Sequence, residues 1–442
     1  MAFRNIRLHP ALRLIYLLLR LLVWVSVRVF YRRRLVLGRE HARFDGPAIV
    51  VVNHPSTLTD VLNPALEIRQ EMFFLANYGM FKHPVANWLL RRLFCIPVKR
   101  REDVTEGEER NNYEAFEQSF RHLEQNGVLF IAVEGTSWMN RFVRPLKSGA
   151  ARIAFGAEAR NDWNLDVKII PAGLSYSAPN LFRSDVVVHF GPAVYPRDWA
   201  RAWAQNRTQA VEALTAHLEE TLKSLSIHTR DEAGEQLVTR LEEILQNERP
   251  LPPKAAFGRS QQLARFAPDQ PALQKQTGSY FEALATQRLS DAAVAATQRP
   301  GLRARVWMDC LLLSAGFPLF AVGCLFWFLP CYLPWLLNKK MDLYIGYSST
   351  VKILAGIFTF PLAFWGAFRL AVFCGLNTGQ AWLTLVLFTG LGYLTEQYLD
   401  LFKHFSARRS ALRNSAGRPG AIRELQQQRA GILQTLDGFF QE

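Results

Sequence analysis

The sequence predicts an α/β domain, a central sheet flanked by helices, between two apolar and basic ends. Short β-rich runs alternate with helical patterns from about residue 47 to 195, which is typical of α/β domains. A helical apolar stretch precedes this region, and two apolar runs of membrane-spanning length follow it. Since 49% of the 442 residues are hydrophobic, the chain can bury a sizeable core, which excludes a disordered or collagen-like protein.

The N-terminal segment combines positive charge with an apolar helical pattern. Residues 1–45 hold ten arginines against two acidic residues, a net charge of +8. Arg13, Arg20 and Arg28 are seven and eight residues apart, so they fall within roughly 80° of one another on a helix. Because central arginines are costly in hydrocarbon, we expect an amphipathic helix in the membrane interface whose arginines reach headgroups. A helix packed against the protein is the alternative, and no small-residue cleavage site indicates a removed signal peptide.

The basic ends favour a membrane over a nucleic acid as the binding surface. Residues 402–442 hold seven Lys and Arg against three acids, so the two ends together carry +12 of the net +14. Basic patches beside apolar segments suit anionic lipid headgroups, whereas a nucleic-acid reader more often places its positive stripe on a folded domain with exposed aromatic residues. We therefore expect membrane lipids as partners and no nucleic acid. The oligomeric state is left open.

Six strands and three helices are predicted within the α/β domain. The strands are the β-rich runs Pro47–Asn53, Met72–Asn77, Phe94–Lys99, Val128–Val133, Val167–Leu174 and Asp185–Phe190. The helical patterns are Phe81–Leu93, Asn111–Gln125, which Gly127 is expected to stop, and Ser148–Arg160. Loops at the strand ends are expected to carry the chemistry.

A polar, helix-rich connector, residues 197–300, leads to the C-terminal apolar runs. Leu311–Leu329 and Ile353–Phe373 are each long enough to span a hydrocarbon core, whereas Ala381–Leu394 is shorter. Two spans leave the basic tail on the side of the α/β domain, as the positive-inside tendency favours, while three spans place it opposite. We favour a two-span hairpin in an integral membrane protein, with Ala381–Leu394 in the interface or re-entrant. The domain and the tail then lie on the cytoplasmic face.

These patterns divide the chain into five regions. They are a basic amphipathic helix region in the membrane interface (1–40), the α/β domain (41–200), a helical extension or connector (201–305), a transmembrane region (306–400) and a basic cytoplasmic tail (401–442). The boundaries follow the changes in charge, hydrophobicity and periodicity along the chain.

The cysteines indicate neither a disulfide framework nor a metal site. Four of the five lie in strongly apolar stretches. None forms a CxxC pair or has a histidine cluster nearby, and zinc sites are built from such pairs and clusters. We therefore expect no bound metal.

The run NHPSTLTD places His54 and Asp60 six residues apart, directly after an apolar strand. On a regular helix these side chains would point about 240° apart, so pairing them needs a turn. Pro55 favours such a turn, because it disfavours helical geometry at His54 and suits a helix start after itself. Asp60 would then hold one imidazole nitrogen and leave the other free to take a proton from an attacking hydroxyl. A capping or packing histidine is the alternative.

Basic residues end a second strand. The stretch CIPVKRR carries Lys99, Arg100 and Arg101, three cations that suit a phosphate, since an arginine can grip two oxygens at once. A solvated basic edge is the alternative. Lys147, in PLKSGAAR, stands at a predicted helix start, where the helix N-terminus also attracts anions, although it could be a plain surface lysine.

The run VEGTS follows another strand end. Gly135 permits close approach of a ligand to the backbone. A buried Glu134 beside that glycine would bind an acceptor hydroxyl or pair with Arg100. Thr136 and Ser137 complete the block.

The four blocks resemble, in content and order, the phospholipid/glycerol acyltransferase superfamily, which includes glycerol-3-phosphate and 1-acylglycerol-3-phosphate acyltransferases. The resemblance covers roughly residues 40–195 and rests on NHPSTLTD, CIPVKR, VEGTS with PLKSGAARIA, and IIPAGLSY. It implies a mixed central sheet flanked by helices. It also implies an enzyme that transfers a fatty acyl group from acyl-CoA or acyl-carrier protein to a hydroxyl of glycerol 3-phosphate or a lysophospholipid, in phospholipid biosynthesis or remodelling.

The resemblance implies roles for single residues. His54 acts as general base on the acceptor hydroxyl, and Asp60 orients it. Arg100 and the VEGTS block bind the acceptor phosphate, and the Ile170-Pro171-Ala172 block helps line the acyl-donor site. The candidate substrate-binding residues are thus Lys99, Arg100, Glu134, Gly135, Thr136, Ser137 and Lys147. A thioester donor is already activated, so the reaction needs no metal or redox cofactor.

The chain also departs from the family pattern. Five residues separate the motif His and Asp instead of the usual four, a spacing that resembles a branch including fungal glycerol-3-phosphate acyltransferases. Ala132-Val133 stands where Phe-Pro is common, and Ser137-Trp138 where many members have Arg or Ser-His. The alternative function is therefore a non-catalytic membrane lipid-binding or scaffold protein that retains the fold. The acceptor, the donor carrier and the chain length stay open.

Overall fold

In the computed structural model, which describes residues 10–92, 94–99 and 112–441, the chain folds into two units. The first comprises the residues up to His228 together with Leu343–Thr350. The second comprises Thr229–Asp342 and the residues from Val351 onward. The strands all lie in the first unit, and the described residues of the second unit form helices and their connections.

The first unit is built on a mixed sheet of seven strands within the described residues. They are β1 (Arg33–Leu37), β2 (Ala48–Val52), β3 (Met72–Asn77), β4 (Cys95–Val98), β5 (Val128–Ala132), β6 (Lys168–Tyr176) and β7 (Asp185–Phe190). Their order is β1-β7-β6-β2-β5-β3-β4, and all neighbours are parallel except β6 and β7. The predicted α/β class with a mixed central sheet is confirmed.

Helices precede, separate and follow the strands of the first unit. They are α1 (Pro10–Phe30), α2 (Leu58–Ala65), α3 (Pro84–Arg92), α4 (Tyr113–Glu124), α5 (Gly149–Arg160), α6 (Ala200–Gln205) and α7 (Arg207–Leu225). Gly127 does not itself take the left-handed conformation that ends α4; Asn126 does, at φ 62°, and Gly127 donates its N–H to the His122 carbonyl.

Strand β1 was not predicted from the sequence, and it lies within the stretch assigned to the N-terminal helix region. Its sequence, RRLVL, begins with two charges that mask the strand signal. Charges are tolerated because β1 is an edge strand, where Arg33 forms an ion pair with Asp185 of neighbouring β7. The α/β domain therefore begins at residue 33 and not at residue 41.

The central strand β2 is fully buried because sheet neighbours and helices cover it. All five of its residues, AIVVV, are inaccessible to solvent, as expected for a parallel strand covered on both faces. Helix α5 and helix α7 pack into the same hydrophobic core as β2 and β5. This core fixes the carboxyl ends of β2 and β5 against each other, in the register Val52 to Ala132.

Two arginines of α1 contact residues of the first unit, while the expected contact of the α1 arginines with headgroups stays a prediction. Arg13 lies 3.4 Å from the Glu71 carboxylate, and Arg20 donates to the Leu66 carbonyl at 2.8 Å. The physical reason is that the first unit offers these cations a carboxylate and a carbonyl. Arg13 and Arg28 of α1 are exposed, as are many of its large apolar side chains: Leu14, Ile15, Leu17, Leu18, Leu21, Leu22, Trp24, Val25 and Val29.

The described residues of the second unit form eight α-helices. They are α8 (Glu232–Glu248), α9 (Pro253–Phe266), α10 (Pro271–Gln287), α11 (Asp291–Thr297), α12 (Leu302–Met341), most of α13 (Ser348–Phe373), α14 (Thr378–Gly417) and α15 (Pro419–Gln441). The run Ala381–Leu394 is thus part of one 40-residue helix and not a separate short element. The C-terminal region is helical up to Gln441.

Three helical stretches among the described residues are long and apolar enough to cross a membrane. They are Pro10–Phe30, Leu302–Met341 and Ile345–Phe373. The last two contain the predicted spans Leu311–Leu329 and Ile353–Phe373. Length and composition allow α1 to cross as well, so the interfacial position of α1 stays a prediction.

A buried arginine holds the helices of the second unit together. Arg429 of α15 has no solvent exposure, and its guanidinium donates to Asp291 (2.9 Å), to Glu248 (2.6 Å) and to the Ile244 carbonyl (3.1 Å). Tyr280 of α10 also donates to Asp291, at 2.7 Å. Both charges of the Arg429–Asp291 pair are therefore removed from water and satisfied by each other.

Removal of this arginine should destabilise the second unit strongly. Arg429→Ala leaves the Asp291 carboxylate buried without its cation, so we expect the free energy of unfolding in detergent to fall by ~3–5 kcal/mol. Denaturant titration of the purified protein measures this. Arg423→Ala, on the exposed side of the same helix, is the control and should change it by less than ~0.5 kcal/mol. Equal losses in both variants would contradict a specific role for the buried pair.

Candidate active site

The polar residues of the predicted motifs meet at the carboxyl edge of the central strands. His54 follows β2, Glu134 follows β5, and Tyr176 ends β6. These three strands are adjacent and parallel, so their carboxyl ends open at the same edge of the sheet. Asn53, the residue before His54, fixes this edge by exchanging two hydrogen bonds with the backbone of Leu174, at 2.9 and 2.7 Å.

His54 and Asp60 form the predicted pair. His54 Nδ1 lies 2.8 Å from Asp60 Oδ2, and the turn after Pro55 starts α2 so that Asp60 sits in its first helical turn. Because a carboxylate only accepts, Nδ1 is the donor in this bond, and in the neutral imidazole Nε2 is then the basic nitrogen. Nε2 makes no hydrogen bond within the described residues, and the imidazole is 11% exposed. The geometry leaves one basic nitrogen open for a proton.

Asp60 is completely buried, and three donors satisfy it. Oδ2 accepts from His54 and from the Ser56 backbone N–H (2.7 Å), and Oδ1 accepts from the Tyr176 hydroxyl (2.7 Å). Burial raises the pKa of Tyr176 well above its usual range, and the nearby Asp60 carboxylate adds to that rise. Tyr176 therefore remains a hydrogen-bond donor, and the carboxylate is held from both sides.

Glu134 links the second motif to the histidine. Its Oε1 accepts the backbone N–H of His54 at 2.9 Å, and the Trp138 N–H donates to the His54 carbonyl at 3.0 Å. Burial raises the pKa of Glu134 to about 7, although hydrogen bonds from the backbone of His54 and Arg144 oppose this rise. Glu134 thus changes charge near neutral pH beside the catalytic candidate.

Gly135 makes the turn after Glu134 and approaches Lys147. Its φ is +81°, a conformation that favours glycine, and a Cβ there would lie 3.3 Å from the Lys147 side chain. The Lys147 N–H donates to the Val133 carbonyl at 2.8 Å, which fixes the lysine beside the turn. Thr136 and Ser137 continue the loop, and Ser137 is buried. The VEGTS block and Lys147 are therefore brought together next to His54.

Arg144 is a cation at this loop that the sequence motifs did not single out. Its guanidinium carbon lies 4.1 Å from the centre of the Trp138 ring and 4.6 Å from that of Phe142. Its Nε is buried without a hydrogen-bond partner, and among the described residues the guanidinium forms no ion pair. The signal in the sequence was the aromatic residues around it, since arginine stacks on such rings.

Lys99, predicted to bind phosphate, follows β4 and not one of the strands next to β2. β4 is three strands away from β2, about 14 Å at the usual spacing of strands. The Lys99 ammonium lies over the Tyr78 ring at 5.2 Å, and its backbone pairs with the Asn112 side chain. Arg100 and Arg101 lie outside the described residues. Glu134 holds the His54 backbone, a role that the sequence had not assigned to it.

The Ile170-Pro171-Ala172 block, expected to line the acyl-donor site, is buried in the sheet. Ile170 and Ala172 have no solvent exposure, because they lie between β2 and β7. The continuation of the same strand, Leu174–Tyr176, instead lines a small cleft beside the motif turn, together with Asn53, Pro55, Met139, Asn140, Arg141, Val143, Pro179 and Ile227. Within the described part of the chain, no cluster of His, Cys, Asp and Glu could hold a metal.

The profile of the acyltransferase family matches residues 33–175, from the first residue of β1 to Ser175 in β6. These residues form an acyltransferase domain. The match contains the His54–Asp60 pair, the VEGTS loop, Arg144 and Lys147.

Curated relatives match parts of the same domain. Glycerol-3-phosphate O-acyltransferases 1 and 2 of Saccharomyces cerevisiae are 32% and 31% identical over 119 and 122 residues, 26% and 27% of this chain. These matches span 16% of either yeast protein. The chloroplastic 1-acyl-sn-glycerol-3-phosphate acyltransferase BAT2 of Brassica napus is 25% identical over 134 residues, 30% of this chain and 37% of its own length.

One solved structure is similar in part. The crystal structure of the 1-acyl-sn-glycerophosphate acyltransferase of Thermotoga maritima aligns with 48% of this chain and 81% of its own length, at 18% identity and a TM-score of 0.35.

The acyltransferase domain should show a pH-dependent stability that depends on Glu134. With its pKa raised from 4.5 to about 7, the folded protein binds more protons here than the unfolded chain, so stability falls as pH rises through this window. Glu134→Gln removes this loss. Relative to wild type, the variant should gain stability between pH 5 and pH 8, by up to ~3 kcal/mol.

Thermal or denaturant unfolding of both proteins in detergent at the two pH values measures this difference. Glu114→Gln, on the exposed face of α4, is the matched control for removal of a carboxylate. A difference between Glu134→Gln and wild type that does not change with pH would contradict the raised pKa.

Proposed function

We propose that the chain is a membrane-bound acyltransferase that moves a fatty acyl group from a thioester donor to a hydroxyl of glycerol 3-phosphate or a lysophospholipid. The observation that carries this proposal is the His54–Asp60 pair, with Nδ1 held by a buried carboxylate and Nε2 open. This is the arrangement that general-base activation of a hydroxyl needs. The family of the domain and the names of its relatives support the reaction class.

Each group in the proposed step has one task. The acceptor hydroxyl gives its proton to His54 Nε2 as its oxygen attacks the thioester carbonyl. The tetrahedral intermediate collapses, the carbon–sulfur bond breaks, and the departing thiolate takes the proton from His54. The products are an oxygen ester and the free thiol of coenzyme A or acyl-carrier protein. Asp60 stabilises the imidazolium that forms between the two proton transfers and keeps the ring in one orientation.

Arg144 and Lys147 are the residues that we assign to the acceptor phosphate. Both flank the loop that holds His54, and neither has an ion-pair partner among the described residues. The two aromatic rings keep the Arg144 guanidinium in place without neutralising it, so its forked donors can meet two phosphate oxygens. Trp138, where many family members have arginine, supplies one of these rings. On this proposal the positive charge at the loop comes from Arg144 and not from residue 138.

The membrane assignment follows from the apolar helices and the basic ends. Three stretches of the described residues have the length and composition of membrane spans, and a fatty acyl product partitions into the bilayer. We infer a cytoplasmic orientation of the acyltransferase domain from the basic residues at both ends of the chain. The donor would be acyl-CoA or acyl-carrier protein, both soluble thioesters.

Substitution of the pair should abolish turnover while the protein stays folded. Purified protein in detergent is incubated with labelled acyl-CoA or acyl-carrier protein and a panel of acceptors, and mass spectrometry identifies the product. We expect His54→Ala and Asp60→Asn to lose about a hundredfold or more in kcat, the usual contribution of a general base. Activity equal to wild type in both variants would sink the mechanism. Measurable binding of lysophospholipid without any acylation would instead support the lipid-binding alternative.

Loss of the Arg144 charge should affect the acceptor and not the donor. Arg144→Gln removes charge-assisted hydrogen bonds to the phosphate, so we expect the KM for the acceptor to rise about tenfold or more while the KM for the acyl donor stays within about twofold. Steady-state kinetics with each substrate varied in turn measures both constants. Arg152→Gln, at an exposed position of α5 in the same domain, is the control. An unchanged acceptor KM in Arg144→Gln would reject this assignment.

A further inference from the structure

The segment that connects α12 and α13 belongs to the unit of the acyltransferase domain. This connecting segment, Leu343–Thr350, is more than a hundred residues beyond the matched domain in sequence, and its last three residues begin α13. Its inner residues are buried: Gly346, Ser348 and Ser349 have little or no exposure. No motif in the sequence singled it out.

Ser349 contacts the motif turn through a serine that holds Asp60. The hydroxyl oxygens of Ser349 and Ser56 are 3.0 Å apart, and both residues are buried. The backbone N–H of Ser56 donates to the same Asp60 oxygen that accepts from His54. A chain of hydrogen bonds therefore runs from Ser349 through Ser56 and Asp60 to the imidazole.

Thr350 caps the helix that carries Asp60. Thr57, the residue before α2, makes no side-chain cap hydrogen bond of its own. The Thr350 hydroxyl oxygen instead accepts the N–H of Leu58, the first residue of α2, at 3.3 Å and hydrogen-bonds the Thr57 hydroxyl. The first-turn donors of a helix need such partners, and capping fixes the position of the turn.

Two further hydrogen bonds seat the segment on both catalytic loops. Thr57 donates its hydroxyl to the Gly346 carbonyl at 3.2 Å, and Tyr344 donates its hydroxyl to the Ser137 carbonyl at 3.3 Å. One arrangement of protons satisfies the whole set, in which Thr350 donates to Thr57 and accepts from Leu58. A Cβ at Gly346 would come within 2.5 Å of the Tyr344 ring, so a side chain there would displace that ring.

These hydroxyls are used in an uncommon way for the start of an apolar helix. Serine and threonine in apolar helices often bond the carbonyl of a residue three or four positions earlier. Ser349 and Thr350 bond hydroxyl and amide groups of the motif turn, nearly 300 residues earlier in the chain. A connector that served only to join two helices would need none of these contacts.

We propose that Ser349 and Thr350 are positioning residues of the active site, which hold the motif turn so that Asp60 meets His54 in the reactive orientation. This inference rests on the proposed acyl transfer. Neither residue touches the reacting atoms, and both act through Ser56, Thr57 and Leu58. Small misplacements of a catalytic group cost large factors in rate, so two hydroxyls remote in sequence set the turnover of the enzyme.

Replacement of Thr350 by two residues of similar size separates its hydroxyl from its bulk. Thr350→Val keeps the shape and removes the hydroxyl, whereas Thr350→Ser keeps the hydroxyl. In the full-length protein in detergent, we expect kcat to fall about tenfold or more in Thr350→Val, with the KM of both substrates within about twofold, and Thr350→Ser to stay near wild type. Ser349→Ala should fall similarly, and it supplies the test if Thr350→Val does not fold.

Thr359→Val is the matched control. It removes a hydroxyl from the same helix, where Thr359 donates to the Pro330 carbonyl, and should leave kcat unchanged. Wild-type kcat in both Thr350→Val and Ser349→Ala would overturn the inference. If the wild-type protein transferred no acyl group, the proposed function would be rejected instead. The inference therefore has a second test that does not depend on enzyme activity.

Modification of His54 by diethyl pyrocarbonate, followed by peptide mass spectrometry, supplies that second test. The rate is measured in wild type, Thr350→Val, Asp60→Asn and the double variant. If Thr350 acts through Asp60, Thr350→Val changes the rate several-fold in wild type and has no further effect in Asp60→Asn. An effect of the same size in both backgrounds, or none in either, would overturn the inference.

Discussion

The Asp60 carboxylate has no exposure to water, so the protein must satisfy both of its oxygens. His54, Ser56 and Tyr176 supply the donors, and each comes from a different structural context: the end of β2, the motif turn and the end of β6. A buried carboxylate accepts few geometries, because each unmade hydrogen bond costs free energy. The positions of the turn, of the start of α2 and of neighbouring β6 are therefore tied to one another through this side chain.

The same constraint explains why the site lies at the carboxyl edge of the central strands. The three neighbours β6, β2 and β5 are parallel and end at this edge, so residues 54, 134 and 176 meet although up to 122 positions separate them. Burial that makes the edge rigid also raises the pKa of Glu134, whose side chain holds the His54 backbone. The scaffold thus couples the charge of one carboxyl group to the backbone position of the proposed general base.

The sequence predicts the parts of this site that depend on local physics. Apolar runs locate six strands, and Pro55 predicts the turn that joins His54 to Asp60. Long-range contacts were not predictable: Tyr176 and Ser349 carry no local sign of their partner. Strand β1 was not predicted, because two charges open this edge strand. The contacts of Arg20 with Leu66 and of Lys99 with Tyr78 likewise join residues that are distant in sequence.

Trp138 stands where many family members have an arginine, yet Arg144 places a positive charge next to it. A cation near the VEGTS loop need not lie at a fixed position in sequence, because an anion responds to charge and donor geometry in space. The face of the Trp138 indole is electrostatically negative and attracts a cation. The guanidinium carbon of Arg144 lies 4.1 Å from the centre of this ring. Stacking restricts the arginine without using its hydrogen-bond donors. A pre-ordered cation loses less entropy when it binds, which is the physical argument for the proposed assignment of Arg144 to the acceptor phosphate.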